Sequence, residues 1–187
     1  PDHAEAHCNL GVTLQAMGSF DEAESLYRQA LVLKPDFAQA YNNLGDILQK
    51  SERLKEAVET YRQAIAIKGD YAEAYNNLGV TLQELGKPEE AIRAFEMALS
   101  MKPDYLAASS NLLFIISIEK HKSPEIYLEA AKQFNEITTR KRKFVFPHNE
   151  RKAVSERIKI GFVSADLKDH PIGYFSESLF ANLDKNI

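Results

Sequence analysis

Apolar, small and polar positions recur with a spacing of 34 residues from about residue 4 to residue 105. The blocks AHCNLGVTLQAMG, AYNNLGDILQKSE and AYNNLGVTLQELG begin at Ala6, Ala40 and Ala74. Each block opens a unit with small residues, one large aromatic and a closing turn residue at fixed places. These positions are Gly11, Gly45 and Gly79; Ala23, Ala57 and Ala91; Tyr27, Tyr61 and Phe95; Ala30, Ala64 and Ala98; and Pro35, Gly69 and Pro103. Such a pattern predicts pairs of antiparallel helices whose backbones approach closely.

In its period, small positions and closing proline, the pattern resembles the tetratricopeptide repeat. We therefore expect three repeats within residues 1–105, at about 4–37, 38–71 and 72–105. The resemblance implies an all-α, right-handed solenoid of antiparallel helix pairs, with the first helix of each repeat lining a concave groove. One unit cannot bury its own apolar face, so stacking supplies the core.

A divergent fourth helix pair is predicted over residues 106–137. Asn111 continues the register of Asn77, but Leu113 replaces the glycine. The second helix is predicted to begin at Ser123 or Pro124 and to carry apolar residues at helical spacing. We expect a capping repeat whose extra apolar residues are covered if another domain docks there. Those residues are Leu113, Phe114, Ile116 and Ile118.

One asparagine per repeat occupies the same position, and the resemblance places that position in the groove. The four are Asn9, Asn43, Asn77 and Asn111. A primary amide carries donors and an acceptor, so a column of amides can pair with the backbone of an extended peptide. The alternative is that the asparagines only bond neighbouring helices. One turn later Asp46 stands where other repeats have an apolar residue, and we expect it to be a solvated groove charge.

After residue 137 the helical period stops, and residues 138–156 are predicted to form a linker. Its basic run, Arg140 to Lys143, is interpreted as a solvated segment against helix carbonyls rather than a phosphate or localisation site. Residues 157–187 predict a strand followed by a helix. The strand ends with Val163, is nearly continuously apolar and is typical of a buried parallel strand. The helix is predicted to start at Pro171 and to carry one apolar stripe.

The segment KIGFVSADLKDHPIGYF, Lys159 to Phe175, follows the repeats directly. In this order the two parts resemble the O-linked N-acetylglucosamine transferases of glycosyltransferase family 41, especially the bacterial relatives. The resemblance implies that residues 157–187 open a GT-B catalytic lobe, and that the parent enzyme transfers a sugar from UDP-GlcNAc to Ser or Thr of proteins. It places His170 in the active-site cleft, as general base or as substrate positioner. Asp166 and Asp169 are expected to be loop or cap carboxylates.

In that family the second lobe makes most of the contacts to the uridine diphosphate. No cofactor site is therefore predicted in this chain, and the chain by itself is predicted to be inactive and to act as a binding scaffold for extended peptides of substrate or partner proteins. The donor sugar and the acceptor proteins are not specified by these residues. A non-enzymatic adaptor, whose strand and helix only cap the solenoid, remains the alternative. Self-association, through the strand or the convex side, also stays open.

Composition narrows the class of partner. The formal charge of -4 and the pI near 5.8 argue against a general nucleic-acid binder, which needs a basic surplus. The longest apolar run, Leu112 to Ile116, falls far short of the roughly 20 residues that span a bilayer. A single cysteine, Cys8, allows no internal disulfide and favours a cytoplasmic location. His3 and His7 lie four residues apart, but no further ligand accompanies them, so no metal site is predicted. A chain that opens on proline is expected to be part of a longer protein.

Overall fold

The computed structural model describes residues 2–118 and 124–141, which are helical apart from short connections. The helices are α1 (Asp2–Ala16), α2 (Phe20–Leu33), α3 (Ala38–Lys50), α4 (Leu54–Ile67), α5 (Ala72–Glu84), α6 (Pro88–Met101), α7 (Leu106–Ile118) and α8 (Pro124–Lys141). Within these two ranges there is no strand, and no helix has both the length and the hydrophobicity to cross a bilayer. The predicted strand and helix of residues 157–187 lie outside the described residues.

The chain divides into a compact unit, Pro1–Thr138, and a second unit, Thr139–Ile187. Helices α1 to α7 and nearly all of α8 belong to the first unit. Of the second unit, only the last three residues of α8 are described. Helix α8 continues four residues beyond Ile137, where the sequence pattern predicted its end. Arg140 and Lys141 are good helix formers, and cations are favourable at a helix C-terminus, so the basic run begins as helix and not as linker.

Consecutive helices pack against each other in chain order from α1 to α7. The helices of a pair are joined by short connections, such as residues 17–19, which make them antiparallel neighbours. The first helices of successive pairs also touch, α1 with α3, α3 with α5 and α5 with α7. The first helices therefore lie side by side in one row.

Within the first three pairs, the chain reverses through one residue of left-handed backbone. Its φ is 83° at Gly18, 59° at Glu52 and 70° at Gly86, positions 34 residues apart. The next N–H donates to the carbonyl five residues back, as from Arg53 to Leu48 at 2.9 Å. This closure satisfies carbonyls that the end of the first helix leaves without an intrahelical donor.

Close packing of each pair depends on a glycine that faces an aromatic ring of the same repeat. A Cβ added to Gly45 would lie 2.6 Å from Cε1 of Tyr61, whose side chain is fully buried. Gly11 stands in the same relation to Tyr27, and Gly79 to Phe95, at 2.7 and 2.5 Å. The aromatic therefore fills the space over its own glycine. The predicted alanines line the same core with no exposed surface: Ala23, Ala30, Ala57, Ala64, Ala91 and Ala98.

The fourth pair departs from this arrangement, as the sequence indicated. Leu113, in the glycine position, and Phe114 are half-buried. Ile116 is buried, whereas Ile118 is 52% exposed. Helix α8 begins at Pro124 and contributes Ala130 and Ile137 to the core. No described domain covers the exposed end of α7.

The contact between Gly45 and the ring of Tyr61 predicts that one methyl group added at this position destabilises the fold. Gly45→Ala should lower the free energy of unfolding by about 1–3 kcal/mol, because the buried ring of Tyr61 cannot move away. Gly69→Ala is the matched control, since a Cβ there meets no heavy atom within 4 Å. Urea unfolding of both variants measures the difference. Equal midpoints for the two variants would show that the glycine is not needed for helix approach.

Candidate binding groove

Each first helix presents a stripe of four residues at i, i+4, i+7 and i+11, which is one face of a helix. We call the surface formed by these stripes the groove face. Its residues are Glu5, Asn9, Val12 and Ala16 of α1; Gln39, Asn43, Asp46 and Lys50 of α3; Glu73, Asn77, Val80 and Glu84 of α5; and Ala107, Asn111, Phe114 and Ile118 of α7. On α3, α5 and α7 the two middle residues of each stripe are half-buried and the outer two exposed, whereas all four are exposed on α1.

The predicted asparagine column lies in the middle of this face and connects neighbouring first helices. Asn77 donates through Nδ2 to Oδ1 of Asn42 at 3.3 Å. Asn111 donates in the same way to Asn76 at 3.0 Å. The interpretation that the asparagines bond neighbouring helices is thus seen directly at these two steps.

We call the hydrogen bonds from Asn43, Asn77 and Asn111 to the preceding first helix the ladder. In the first of these bonds, between α3 and α1, the acceptor is a sulfur atom. Asn43 donates through Nδ2 to Sγ of Cys8 at 3.7 Å, where Cys8 occupies the position of Asn42 and Asn76. Burial raises the pKa of the Cys8 thiol, and this hydrogen bond opposes the rise. A thiol is a weak acceptor, so this step is the weakest of the three.

The hydrogen bonds between helices do not use every donor and acceptor of these amides. Each amide has two N–H donors and an oxygen with two lone pairs, and the ladder takes one N–H from Asn43, Asn77 and Asn111. Asn76 also donates to Oδ1 of Asn77 at 3.3 Å. Donor and acceptor capacity therefore remains on the half-buried amides.

Asp46 is not the solvated groove charge that the sequence suggested. Its carboxylate accepts hydrogen bonds from Nε2 of Gln15 and, at 2.9 Å, from Nζ of Lys50. Gln15 in turn accepts a hydrogen bond from the Tyr27 hydroxyl at 2.7 Å. The carboxylate therefore ties α3 to α1 and to the core aromatic beneath the groove face. No sequence signal connects Gln15 with Asp46, because the contact joins two repeats.

A second chain of polar contacts ties α3 to α5. The Tyr61 hydroxyl donates to Oε1 of Gln49 at 3.4 Å, and Nε2 of Gln49 donates to Oε1 of Glu84 at 3.0 Å. Glu84 and Glu73 form no ion pair with a described residue, whereas Glu5 lies 3.6 Å from Nζ of Lys34. The α5 stripe is thus acidic, and the α7 stripe has no charge.

The predicted catalytic His170 lies outside the described residues, as do Asp166 and Asp169. Of the amino-terminal histidines, His3 is exposed and His7 half-buried. Among the described side chains, no three His, Cys, Asp or Glu residues group closely enough to hold a metal ion.

Comparison with family models identifies the repeats. A tetratricopeptide repeat model matches residues 4–37 and a second one matches residues 36–104. Residues 4–104 belong to the tetratricopeptide repeat family. The prediction of an all-helical tetratricopeptide solenoid is confirmed for this stretch. A search of curated proteins finds no match to the chain.

Solved tetratricopeptide structures share the fold. A crystal structure of MamA is 27% identical, with a TM-score of 0.64 over 74% of this chain and 78% of that one. The first tetratricopeptide domain of Spaghetti (RPAP3), bound to the HSP90 peptide SRMEEVD, is 24% identical, with a TM-score of 0.59 over 60% of this chain and 90% of that one. YrrB, a tetratricopeptide protein with an unusual peptide-binding site, is 22% identical, with a TM-score of 0.60 over 72% and 67%.

The raised pKa values of three tyrosines predict that the protein loses stability at alkaline pH. Burial raises the pKa of Tyr71 to about 12, and it raises the pKa values of Tyr27 and Tyr61 still further. Unfolded tyrosine ionises near pH 10, so the unfolded chain then binds fewer protons than the folded one and stability falls as the pH rises. We expect the urea midpoint to be steady below about pH 10 and to decline above it.

Tyr27→Phe and Tyr61→Phe test the source of that decline, because the third repeat carries Phe95 at the same position. Each variant should lose about 1 kcal/mol at neutral pH with its hydroxyl hydrogen bond, and should show a shallower decline above pH 10. An unchanged slope in both variants would assign the alkaline loss to other groups.

Proposed function

We propose that the groove face binds extended peptide segments of partner proteins. The observation that carries this is the row of half-buried amides on adjacent first helices, which keep donors and acceptors after donating to Cys8, Asn42 and Asn76. Packed helices lie about 8–10 Å apart, and an extended chain advances about 3.3 Å per residue. Each amide therefore meets the backbone at about every third residue of an extended peptide. Pairing with the backbone tolerates many side chains, as a scaffold for diverse partners requires.

The charges of the groove face favour one class of peptide. Glu73 and Glu84 flank Asn77 and Val80 on the α5 stripe, and like charges placed opposite them are unfavourable. Phe114 and Ile118 offer an apolar surface on the α7 stripe. We therefore expect a basic or uncharged segment over α5 and an apolar side chain over α7. An acidic peptide such as SRMEEVD, which RPAP3 binds, suits this face poorly.

Asn77→Ala tests the amide row and should weaken peptide binding about 5-fold or more, since one buried hydrogen bond contributes about 1 kcal/mol. Asn42→Ala is the matched control, because it breaks the same Asn77–Asn42 bond without removing an amide from the groove face. Fluorescence anisotropy with an extended peptide library measures both affinities.

The same measurement with basic, uncharged and acidic versions of one peptide tests the charge preference. Equal weakening by Asn77→Ala and Asn42→Ala would mean that Asn77 contributes only through its bond to Asn42 and makes no hydrogen bond to the peptide. Tightest binding of the acidic version would contradict the role of Glu73 and Glu84 but leave the amide row standing.

We further propose that the parent protein is a glycosyltransferase resembling the O-linked N-acetylglucosamine transferases. The specific observation is the segment VSADLKDHP directly downstream of the repeats, where His170 precedes a proline at which the sequence predicts a helix to start. In this proposal the groove face presents an acceptor protein, and His170 accepts the Ser or Thr hydroxyl proton or orients the sugar phosphate. The alternative is an adaptor with no activity, which the amide row supports equally well.

His170→Ala in the full-length gene product separates the two proposals. For a transferase, turnover with UDP-GlcNAc and an acceptor protein should fall about 100-fold or more, because the imidazole moves or positions the reacting proton. Peptide affinity and the helical circular dichroism signal should not change. Full turnover in the variant would make His170 structural, and no turnover by the wild-type protein with UDP-sugars would leave the adaptor.

A further inference from the structure

One face of α1 is exposed although it has the composition of a core face. Ala6, Leu10 and Thr13 follow each other at i, i+4 and i+7, and all three are exposed, Leu10 by 51%. Met17, one turn further and just beyond the helix, is 73% exposed. We call Ala6, Leu10 and Thr13 the α1 outer face.

The equivalent residues of the next three first helices are buried without exception. The alanine position has no exposure in Ala40, Ala74 and Ala108. The leucine position is 4%, 7% and 6% exposed in Leu44, Leu78 and Leu112. The third position has no exposure in Ile47, Thr81 and Ile115. The chain thus contains three examples of what this face looks like when it is covered.

A preceding helix pair is what covers those three examples. Helix α1 already packs against its own partner α2 and against the following first helix α3, yet its outer face is exposed. Helices α3, α5 and α7 differ from α1 in that each also packs against the second helix and the first helix of the pair before it. The α1 outer face is therefore one half of a repeat–repeat interface. Terminal faces that close a solenoid are instead polar.

The first three residues, of which Asp2 and His3 already belong to α1, carry the sequence that elsewhere joins one repeat to the next. Residues 1–3 read Pro-Asp-His, and the connectors before α3, α5 and α7 read Pro-Asp-Phe, Gly-Asp-Tyr and Pro-Asp-Tyr at 34-residue intervals. Each of those connectors continues from a second helix that packs on the following first helix. The connector argues for an occupant in the same polypeptide and against a second copy of the chain.

We propose that the α1 outer face is covered by a further tetratricopeptide helix pair, joined to Pro1 in the same 34-residue register. This goes beyond the groove, because it concerns what the solenoid stacks on rather than what it binds. The missing pair must bring the small and aromatic residues that the internal pairs use. Ahead of each connector these stand 12, 8 and 5 residues upstream, as Ala57, Tyr61 and Ala64 do before Gly69.

The natural coding sequence ahead of Pro1 gives the direct test. We expect small residues at the twelfth and fifth positions before Pro1, and a tyrosine or phenylalanine at the eighth. A coding sequence that begins at this chain, or continues out of that register, would overturn the proposal.

A stability experiment tests the face itself. A copy of Pro35–Lys68 fused directly ahead of Pro1 supplies a helix pair in register. The extended chain should unfold in one transition with a higher urea midpoint than the chain itself. Leu10→Asn should lower the midpoint several-fold more in the extended chain than in the chain itself, because Leu10 is buried only there. Val32→Asn is the control, since Val32 is 81% exposed on α2 and should have a small effect in both.

Two outcomes would contradict the proposed occupant. Two separate transitions, with Leu10→Asn equally mild in both chains, would show that the face does not accept a helix pair. Sedimentation velocity on the unextended chain addresses the second copy. A concentration-dependent dimer that Leu10→Asn abolishes would assign the face to self-association instead.

Discussion

The contact between a backbone without a side chain and a flat ring sets the geometry of this solenoid. Gly45 lets the ring of Tyr61 rest directly on α3, and the same contact recurs at Gly11 and Gly79. Because no atom fits between ring and helix, the separation of the two helices of a pair is fixed at the minimum that sterics allow. The orientation of each first helix follows from that separation. The amides on the far side of the first helices meet only because each pair repeats the same spacing.

A structural role of the asparagines is therefore compatible with the binding role that we propose for them. The bond from Asn77 to Asn42 holds the half-buried Asn77 amide in one orientation and leaves it a second N–H donor. A side chain held in place loses less conformational entropy when a peptide arrives. In the proposed function, the inter-helix ladder orients the amides of the groove face for a peptide backbone rather than competing with it. Beneath the face, the contacts of Asp46 and Gln49 hold neighbouring helices in the same way.

The sequence predicted the parts of this arrangement that repeat within one unit. The spacing identified the glycine, the aromatic and the asparagine column, because each recurs 34 residues on and periodicity reports what recurs. It did not identify Asn42 and Asn76 as the acceptors of the ladder, although they stand next to the column in the NN dipeptides. Which of two adjacent residues faces a neighbouring helix depends on how the helices are rotated, and that rotation is set by tertiary packing. For the same reason the partners of Asp46 could not be predicted. The role of His170 rests on family resemblance and not on geometry.

The repeats also allow α1 to be compared with the equivalent helices α3, α5 and α7. Asn9 is exposed, whereas Asn43, Asn77 and Asn111 are half-buried and donate to the preceding first helix. Among the described helices only α2 and α3 pack against α1, which leaves both the α1 outer face and the first amide of the column exposed. A pair stacked on α1 would place an acceptor beside Asn9, as Cys8 is placed beside Asn43. It would turn Asn9 from an exposed amide into one held by a hydrogen bond, and it would lengthen the groove face by about 8–10 Å, the separation of packed helices. The interface that completes the core and the surface proposed to bind peptides would then grow together, because both belong to the same row of first helices.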